Sequence, residues 1–230
     1  GSRVIALSMG PPQAREVLLH SLATDADEGV LLTDRAFAGA DTVATSYSLA
    51  QAIRKIAAEI VEGDEYIVMA GMQSVDGDTA QVPPQIAEEL GIEHIAYGQG
   101  FEFDDEGLVV ERIGSHGTEM VRPRGYPLLL TITACTEPLY RSFHRARAAR
   151  AQQIHQWSAA DIGAEPDRIG ASGSRTQVSR IFSPDEARAK SCEYPTEARA
   201  VVAAIAAAYR DGAAEEEETA GEGFRLDGRT

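Results

Sequence analysis

The sequence predicts an α/β protein of three layers, built on a mainly parallel sheet with an added β hairpin and a C-terminal arm. Three observations predict it. Apolar runs of strand length recur at Val4-Ile5-Ala6-Leu7, Gly29-Val30-Leu31-Leu32 and Tyr66-Ile67-Val68-Met69-Ala70. Segments with apolar residues at helical spacing separate those runs. Each run empties into a loop rich in Gly, Pro, Asp or Thr. Alternation of strand and helix implies right-handed crossovers, and hence parallel strands.

The first run is stopped by Ser8-Met9-Gly10-Pro11-Pro12, and proline suits a first helical turn. Ala14, Val17, Leu18 and Leu22 then form a helical stripe. The second run leads into the loop 33–42, after which Tyr47, Ala50, Ile53, Ala57 and Ile60 mark a helix over 43–61. The third run enters a polar loop, Gly71 to Pro83. A residue before proline avoids helical angles, so the next helix is expected to start at Pro84. Ile92 to Tyr97 is a further strand. From residue 98 the pattern changes: Phe101-Glu102-Phe103 and Leu108 to Ile113 flank Asp104-Asp105-Glu106-Gly107 as a hairpin, with a third strand at Thr118 to Arg122. Pro127 to Thr133 is strongly apolar and β-like, and Arg141 to Arg150 is basic. Residues 164–194 show little periodicity; Glu197 to Arg210 reads as a last helix, closed by Gly212. The expected organisation is a core over 3–163, an arm over 164–212 and a disordered acidic tail over 213–230.

Composition narrows the function. A formal net charge of −15 repels a phosphate backbone and argues against general nucleic-acid binding. No apolar run reaches the roughly 18 residues of a membrane helix, so membrane insertion is not expected. Cys135 and Cys192 lie far apart with no C-x-x-C pair, which suits reduced thiols in a cytoplasmic protein. The five histidines form no close ligand pair, and there is neither a phosphate-binding Walker loop nor a G-x-S-x-G elbow. No catalytic residue and no metal site is predicted.

In a parallel sheet every strand-to-helix loop lies at the strands' carboxyl edge, where such sheets bind ligands. Three loops, 8–12, 33–42 and 71–84, therefore face one crevice. Asp41 or Thr42 suits the N-cap of the second helix, and with Thr42 capping, Thr45 stands one turn along on the same side. Asp76 and Asp78 suit hydroxyls, an amino group or the loop's own amides better than a phosphate, and Gly77 permits close backbone approach. A loop held by its own Asx turns, without a ligand, stays open as the alternative.

Five segments carry a resemblance: "SMGPPQA" (8–14), "DRAFAGADTVATSYSLAQAI" (34–53), "QSVDGDTAQVPPQIAEELG" (73–91), "TEPLYRSF" (136–143) and "SRTQVSRIF" (174–182). In this order and spacing they resemble the beta subunit of electron transfer flavoprotein, the FixA-like group, over about residues 3 to 184. The D-R-A-F-A-G-A-D-T and D-G-D-T-A-Q forms are similar to the electron-bifurcating members. The resemblance implies an adenine-nucleotide-binding, Rossmann-like fold and a heterodimer with an FAD-carrying alpha subunit, onto which the arm packs. It implies bound FAD, with AMP as the alternative. Met9 then lies beside the nucleotide; Asp41, Thr42 and Thr45 line the phosphates and ribityl chain; Asp76, Gly77, Asp78, Thr79, Ala80, Gln81, Val82 and Pro83 wrap the AMP portion.

Residues 136–150 match the family's recognition loop, which docks on an acyl-CoA or related dehydrogenase through Tyr140, Phe143 and Arg145, with arginines here where the family carries lysines. The family's first strand and helix and its N-P-Y/F-D segment have no counterpart before Val4, which implies a sheet lacking an inner strand. The implied activity is electron carriage, with NADH oxidation restricted to a bifurcating heterodimer. The rivals are a beta subunit with purely structural AMP and an adenine-nucleotide-binding enzyme of the same fold.

Overall fold

The computed structural model describes residues 2–61, 63, 65–75, 77–133, 140–179 and 197–207. Asp76, Cys135, Cys192, Thr136 to Leu139, Arg180 to Phe182 and the acidic tail lie outside them. The chain divides into two compact units, Gly1–Ser179 and Arg180–Thr230. In the second unit the described residues include a helix over 198–207. Residues 164–179 fall within the first unit.

Among the described residues, eight strands form two sheets. The first has the order β1 (Ile5–Met9), β2 (Glu28–Leu32), β8 (Ile154–Trp157), all parallel. The second has the order β3 (Ile67–Gly71), β7 (Leu128–Ile132), β4 (Glu93–Asp104), β5 (Gly107–Gly114), β6 (Gly117–Val121). Its β3, β7 and β4 are parallel, whereas β4, β5 and β6 form an antiparallel meander. The single, mainly parallel sheet expected from the sequence is corrected to one parallel and one mixed sheet. Two physical reasons account for it. Among the described residues β1 pairs only with β2 and β3 only with β7, so no ladder joins the sheets. And β4 serves both patterns: its register shifts between Ile95 and Gly98, where Tyr97 takes φ +62°, and again between Gly98 and Gly100. These bulges bend one continuous strand from parallel to antiparallel pairing, which the sequence had suggested as two separate strands.

Side-chain alternation places the core. On β7, Leu129 faces α2 and α3, while Leu128 and Leu130 face Ile95, Leu108 and Val110. Helix α2 (Thr42–Ile56) covers both sheets. Its Tyr47 and Ala52 pack with Val30, Leu32 and Trp157, and its Ala50 and Ile53 pack with Leu129 and Ile86 of α3 (Val82–Leu90). Leu7 of β1 touches both groups. On the other face of the first sheet, α1 (Arg15–Thr24) meets α4 (Phe143–Ala151) through Leu22, Ala23 and Ala149, giving three layers there. Burying each such Leu, Ile or Val contributes roughly 1.5–3 kcal/mol.

Three details depart from expectation. Helix α1 buries Leu18, Leu19, Leu22 and Ala23, leaving Val17 59% exposed. Helix α3 starts at Val82 rather than Pro84. A first turn has no partners for its N–H groups, so prolines there forfeit no bond, and the pre-proline bias yields. Strand β8 had no periodicity to announce it, because only Ile154 and Trp157 of its four residues are large and apolar.

Candidate functional site

The loops after β1, β2 and β3 adjoin at the carboxyl rim. Gly10 N–H donates to Leu32 O at 3.0 Å, which places the first turn against the end of β2. The Thr42 hydroxyl donates to Gln81 Oε1 at 3.0 Å, joining the second loop to the third. One turn deeper, buried Ser46 donates to Thr42 O at 2.6 Å and lies 2.9 Å from Gln85 Oε1 and 3.3 Å from Val82 O. The N-termini of α2 and α3 therefore meet side by side.

Asp41, not Thr42, is the N-cap of α2. Its Oδ1 accepts from Val43 N and Ala44 N at 2.9 and 3.1 Å. Its Oδ2 accepts from Arg175 N at 2.7 Å, Thr176 N at 3.0 Å and the Thr176 hydroxyl at 3.2 Å. Burial pushes this carboxyl up, but the N–H groups of Ala44, Thr176 and Arg175 and the Thr176 hydroxyl outweigh it, leaving the pKa below the ordinary value. With five donors on two oxygens, Asp41 acts on the rim by fixing backbone rather than by offering a free acceptor. Thr42 and Thr45 still share a helix face at the i, i+3 spacing.

The segment 168–176 is a wall of the rim that sequence reasoning missed. Arg168 stacks on the Tyr47 ring at 3.9 Å and pairs with Glu89 at 2.6 Å. The Ser174 hydroxyl accepts from Asp41 N at 2.8 Å, donates to Gly170 O at 2.7 Å and lies 3.1 Å from Gly39 O. Gly170 takes φ +55°, and a Cβ there would sit 2.1 Å from Ala36 O. Only glycine lets the segment approach the second loop so closely. The readable signal was the pair Gly170 and Gly173, set within the stretch 164–194 that shows little periodicity. Opposite, Asp34 caps the turn Arg35–Phe37 and holds Ala159 N at 3.1 Å; the Ala36 N–H first, and then that of Ala159, lower its pKa.

The third loop is partly held by its own bonds. Asp78 N donates to Ser74 O at 3.0 Å, Gly77 N lies 3.3 Å from the Ser74 hydroxyl, and Gln73 Nε2 donates to Asp78 Oδ1. Asp78 and Ala80 both take positive φ, +49° and +53°, unusual for residues with a Cβ. Thr79 is exposed at this tip, Val82 is half-buried and Pro83 is buried. Met9 is half-buried against the core beneath the rim.

A family model described as "Electron transfer flavoprotein domain" matches residues 1–162. The chain belongs to the electron transfer flavoprotein family. It is 42% identical over 180 residues to electron transfer flavoprotein subunit beta of Clostridium acetobutylicum, covering 78% of this chain and 67% of that protein. It is 42% identical over 184 residues to the caffeyl-CoA reductase-Etf complex subunit CarD of Acetobacterium woodii, covering 80% and 68%. It is 41% identical over 209 residues to protein FixA of Bradyrhizobium diazoefficiens, covering 86% and 71%. These matches place it in the beta-subunit, FixA-like branch.

In this electron transfer flavoprotein beta chain, the predicted docking residues lie on and before α4, next to α1 and not among the rim residues above. Tyr140 and Phe143 are exposed, Phe143 at 86%. Arg145 is engaged within the fold: it donates to Thr24 O at 2.9 Å and lies 3.4 Å from Asp25 Oδ1. No helix among the described residues is long and apolar enough to cross a membrane.

Proposed function

We propose that this beta subunit holds an adenine nucleotide at the rim formed by loops 8–12, 33–42 and 71–84, and positions it against an FAD-carrying alpha subunit. The observation that carries the reading is the Thr42–Gln81 bridge, which brings the helix after β2 and the loop after β3 to one place at the carboxyl edge. The available groups fit the adenosine and phosphate part of such a ligand. Thr42, Thr45 and Gln81 offer neutral donors and acceptors, and Asp78 and Ala80 take positive φ, the backbone region that anion-binding concavities use. A Cβ at Gly71 would meet nothing within 4 Å, so the loop leaves open space beside its own start.

FAD is the favoured occupant, with AMP the alternative. Support comes from the D-G-D-T-A-Q form of the third loop and from similarity to CarD, whose name places it in a caffeyl-CoA reductase-Etf complex. Bound FAD would supply the redox chemistry; the protein supplies distance, orientation and electrostatics. In the bifurcating form of this reading the heterodimer oxidises NADH and delivers electrons to an acyl-CoA or related dehydrogenase.

Co-purification with the alpha partner and cofactor counting tests this. Two flavins per pair are expected; one flavin with one AMP would establish the alternative. Thr45→Ala and Gln81→Ala should each lower retained nucleotide while leaving the heterodimer intact. Wild-type nucleotide content in both variants sinks the site.

A further inference from the structure

We infer that Arg175 is the cation that makes the rim select a phosphorylated adenosine, its guanidinium meeting the ligand's phosphate. The inference rests on the nucleotide reading above and names the residue that answers the ligand's charge.

The charge balance of the rim calls for such a group. Loops 8–12, 33–42 and 71–84 carry four carboxylates, Asp34, Asp41, Asp76 and Asp78, against one cation, Arg35. A helix N-terminus ordinarily favours an anion, but Asp41 already sets a negative charge at that of α2. Its Oδ1 also occupies the N–H groups of Val43 and Ala44, which are therefore not offered to a phosphate. Thr42 and Thr45 bring hydroxyls without charge. A phosphate beside them is repelled by Asp41 unless a cation stands close by.

The rim and its wall hold three arginines. Arg168 is spent on the Tyr47 ring at 3.9 Å and on Glu89 at 2.6 Å. Arg35 lies in the turn that Asp34 caps and ties to Ala159, beyond β8. Arg175 is fixed at the N-cap of α2 itself. Its N–H donates to Asp41 Oδ2 at 2.7 Å, and the Thr176 N–H and hydroxyl hold the same oxygen at 3.0 and 3.2 Å. Next to that cap stands Thr42, which bridges to Gln81 of the third loop. The Arg175 backbone is thus pinned where the second and third loops meet, and its side chain is left over.

That side chain is exposed and makes no ion pair or hydrogen bond among the described residues. Asp41 accepts five donors already, so it leaves the guanidinium to an outside anion. The planar fork of a guanidinium matches phosphate oxygens two at a time. A bare adenosine gains nothing from it, so the contribution goes to ligands that carry phosphate: the monoester of AMP or the pyrophosphate of a dinucleotide.

The test uses the full chain co-purified with its alpha partner, with one FAD per pair retained, and calorimetric titration with adenosine, AMP and ADP. Wild type should bind AMP and ADP more tightly than adenosine. Arg175→Gln should weaken AMP and ADP about tenfold and leave adenosine unchanged, with Arg175→Lys recovering part of the loss. Raising salt from roughly 20 to 200 mM should weaken AMP more in wild type than in Arg175→Gln. The melting temperature should not move, because the bond to Asp41 comes from the backbone. Equal losses for AMP and ADP put the guanidinium on the first phosphate, a larger loss for ADP on the second; either bears the inference out. Unchanged AMP affinity in Arg175→Gln, while Thr45→Ala weakens AMP and adenosine alike, overturns it and leaves the nucleotide site standing. So does a loss in Arg175→Gln that is equal for adenosine and AMP, or a loss of AMP in Arg35→Gln alone. Wild type that binds neither AMP nor adenosine removes the nucleotide site and the inference with it.

Discussion

Asp41 shows how much one carboxylate can organise. It caps α2 and grips Arg175 and Thr176, residues that lie 134 and 135 positions along the chain. Removing an N-cap alone costs about 1 kcal/mol, so Asp41→Ala, which also releases the second segment, should cost about 2 kcal/mol in urea unfolding. The pH dependence has a defined sign. The folded-state pKa lies below the unfolded value, so the stabilisation is complete above about pH 4 and is lost as pH falls through the folded pKa. The stability gap between wild type and Asp41→Asn should therefore close on acidification; a gap that persists into acid contradicts the assignment. Which residue caps α2 could be narrowed to Asp41 or Thr42 from the sequence, because both side chains accept from free N–H groups. The grip on 175–176 could not, since a hydrogen bond across more than 130 residues leaves no local periodicity.

At the level of elements, the segment 168–176 shows why part of the site was illegible. Strands β1, β2 and β3 and helix α2 announce themselves by apolar period, and so the rim they create was readable. The segment is held by Arg168, Ser174 and two glycines, through stacking and backbone bonds that have no period. Gly170→Ala combines a left-handed backbone angle with a collision against Ala36 O. It should cost at least about 2 kcal/mol and loosen the second loop, lowering nucleotide retention in the same preparation. Wild-type thermal stability would show that the segment does not bear on that loop. The meander was legible as a hairpin, but not its continuity with β4. That depends on bulges at Tyr97 and Gly98 rather than on any turn-forming residue.

For the whole molecule, the feature to explain is the pair of sheets. Parallel strands are normally buried on both sides of a continuous sheet. Here β2 and β7 are central and nearly inaccessible, Val30, Leu32, Leu128 and Leu129 being fully buried, whereas Met69 of β3 is 57% exposed. Hydrogen exchange should follow: amides of β2 and β7 the slowest, those of β1 and β3 faster by orders of magnitude. Equal protection across all four would mean that β1 and β3 are bonded on both sides in solution. Alternation of strand and helix could be read from the sequence, but not which strand would stand beside which. The two sheets are joined beneath α2 by the packing of Leu7, Ala50, Ile53 and Val68, and at the rim by the Thr42–Gln81 bridge. Side-chain packing, unlike a backbone ladder, tolerates small sliding of one block past another. The second loop follows a strand of one sheet and the third a strand of the other, so any such sliding would be felt first at the Thr42–Gln81 bridge.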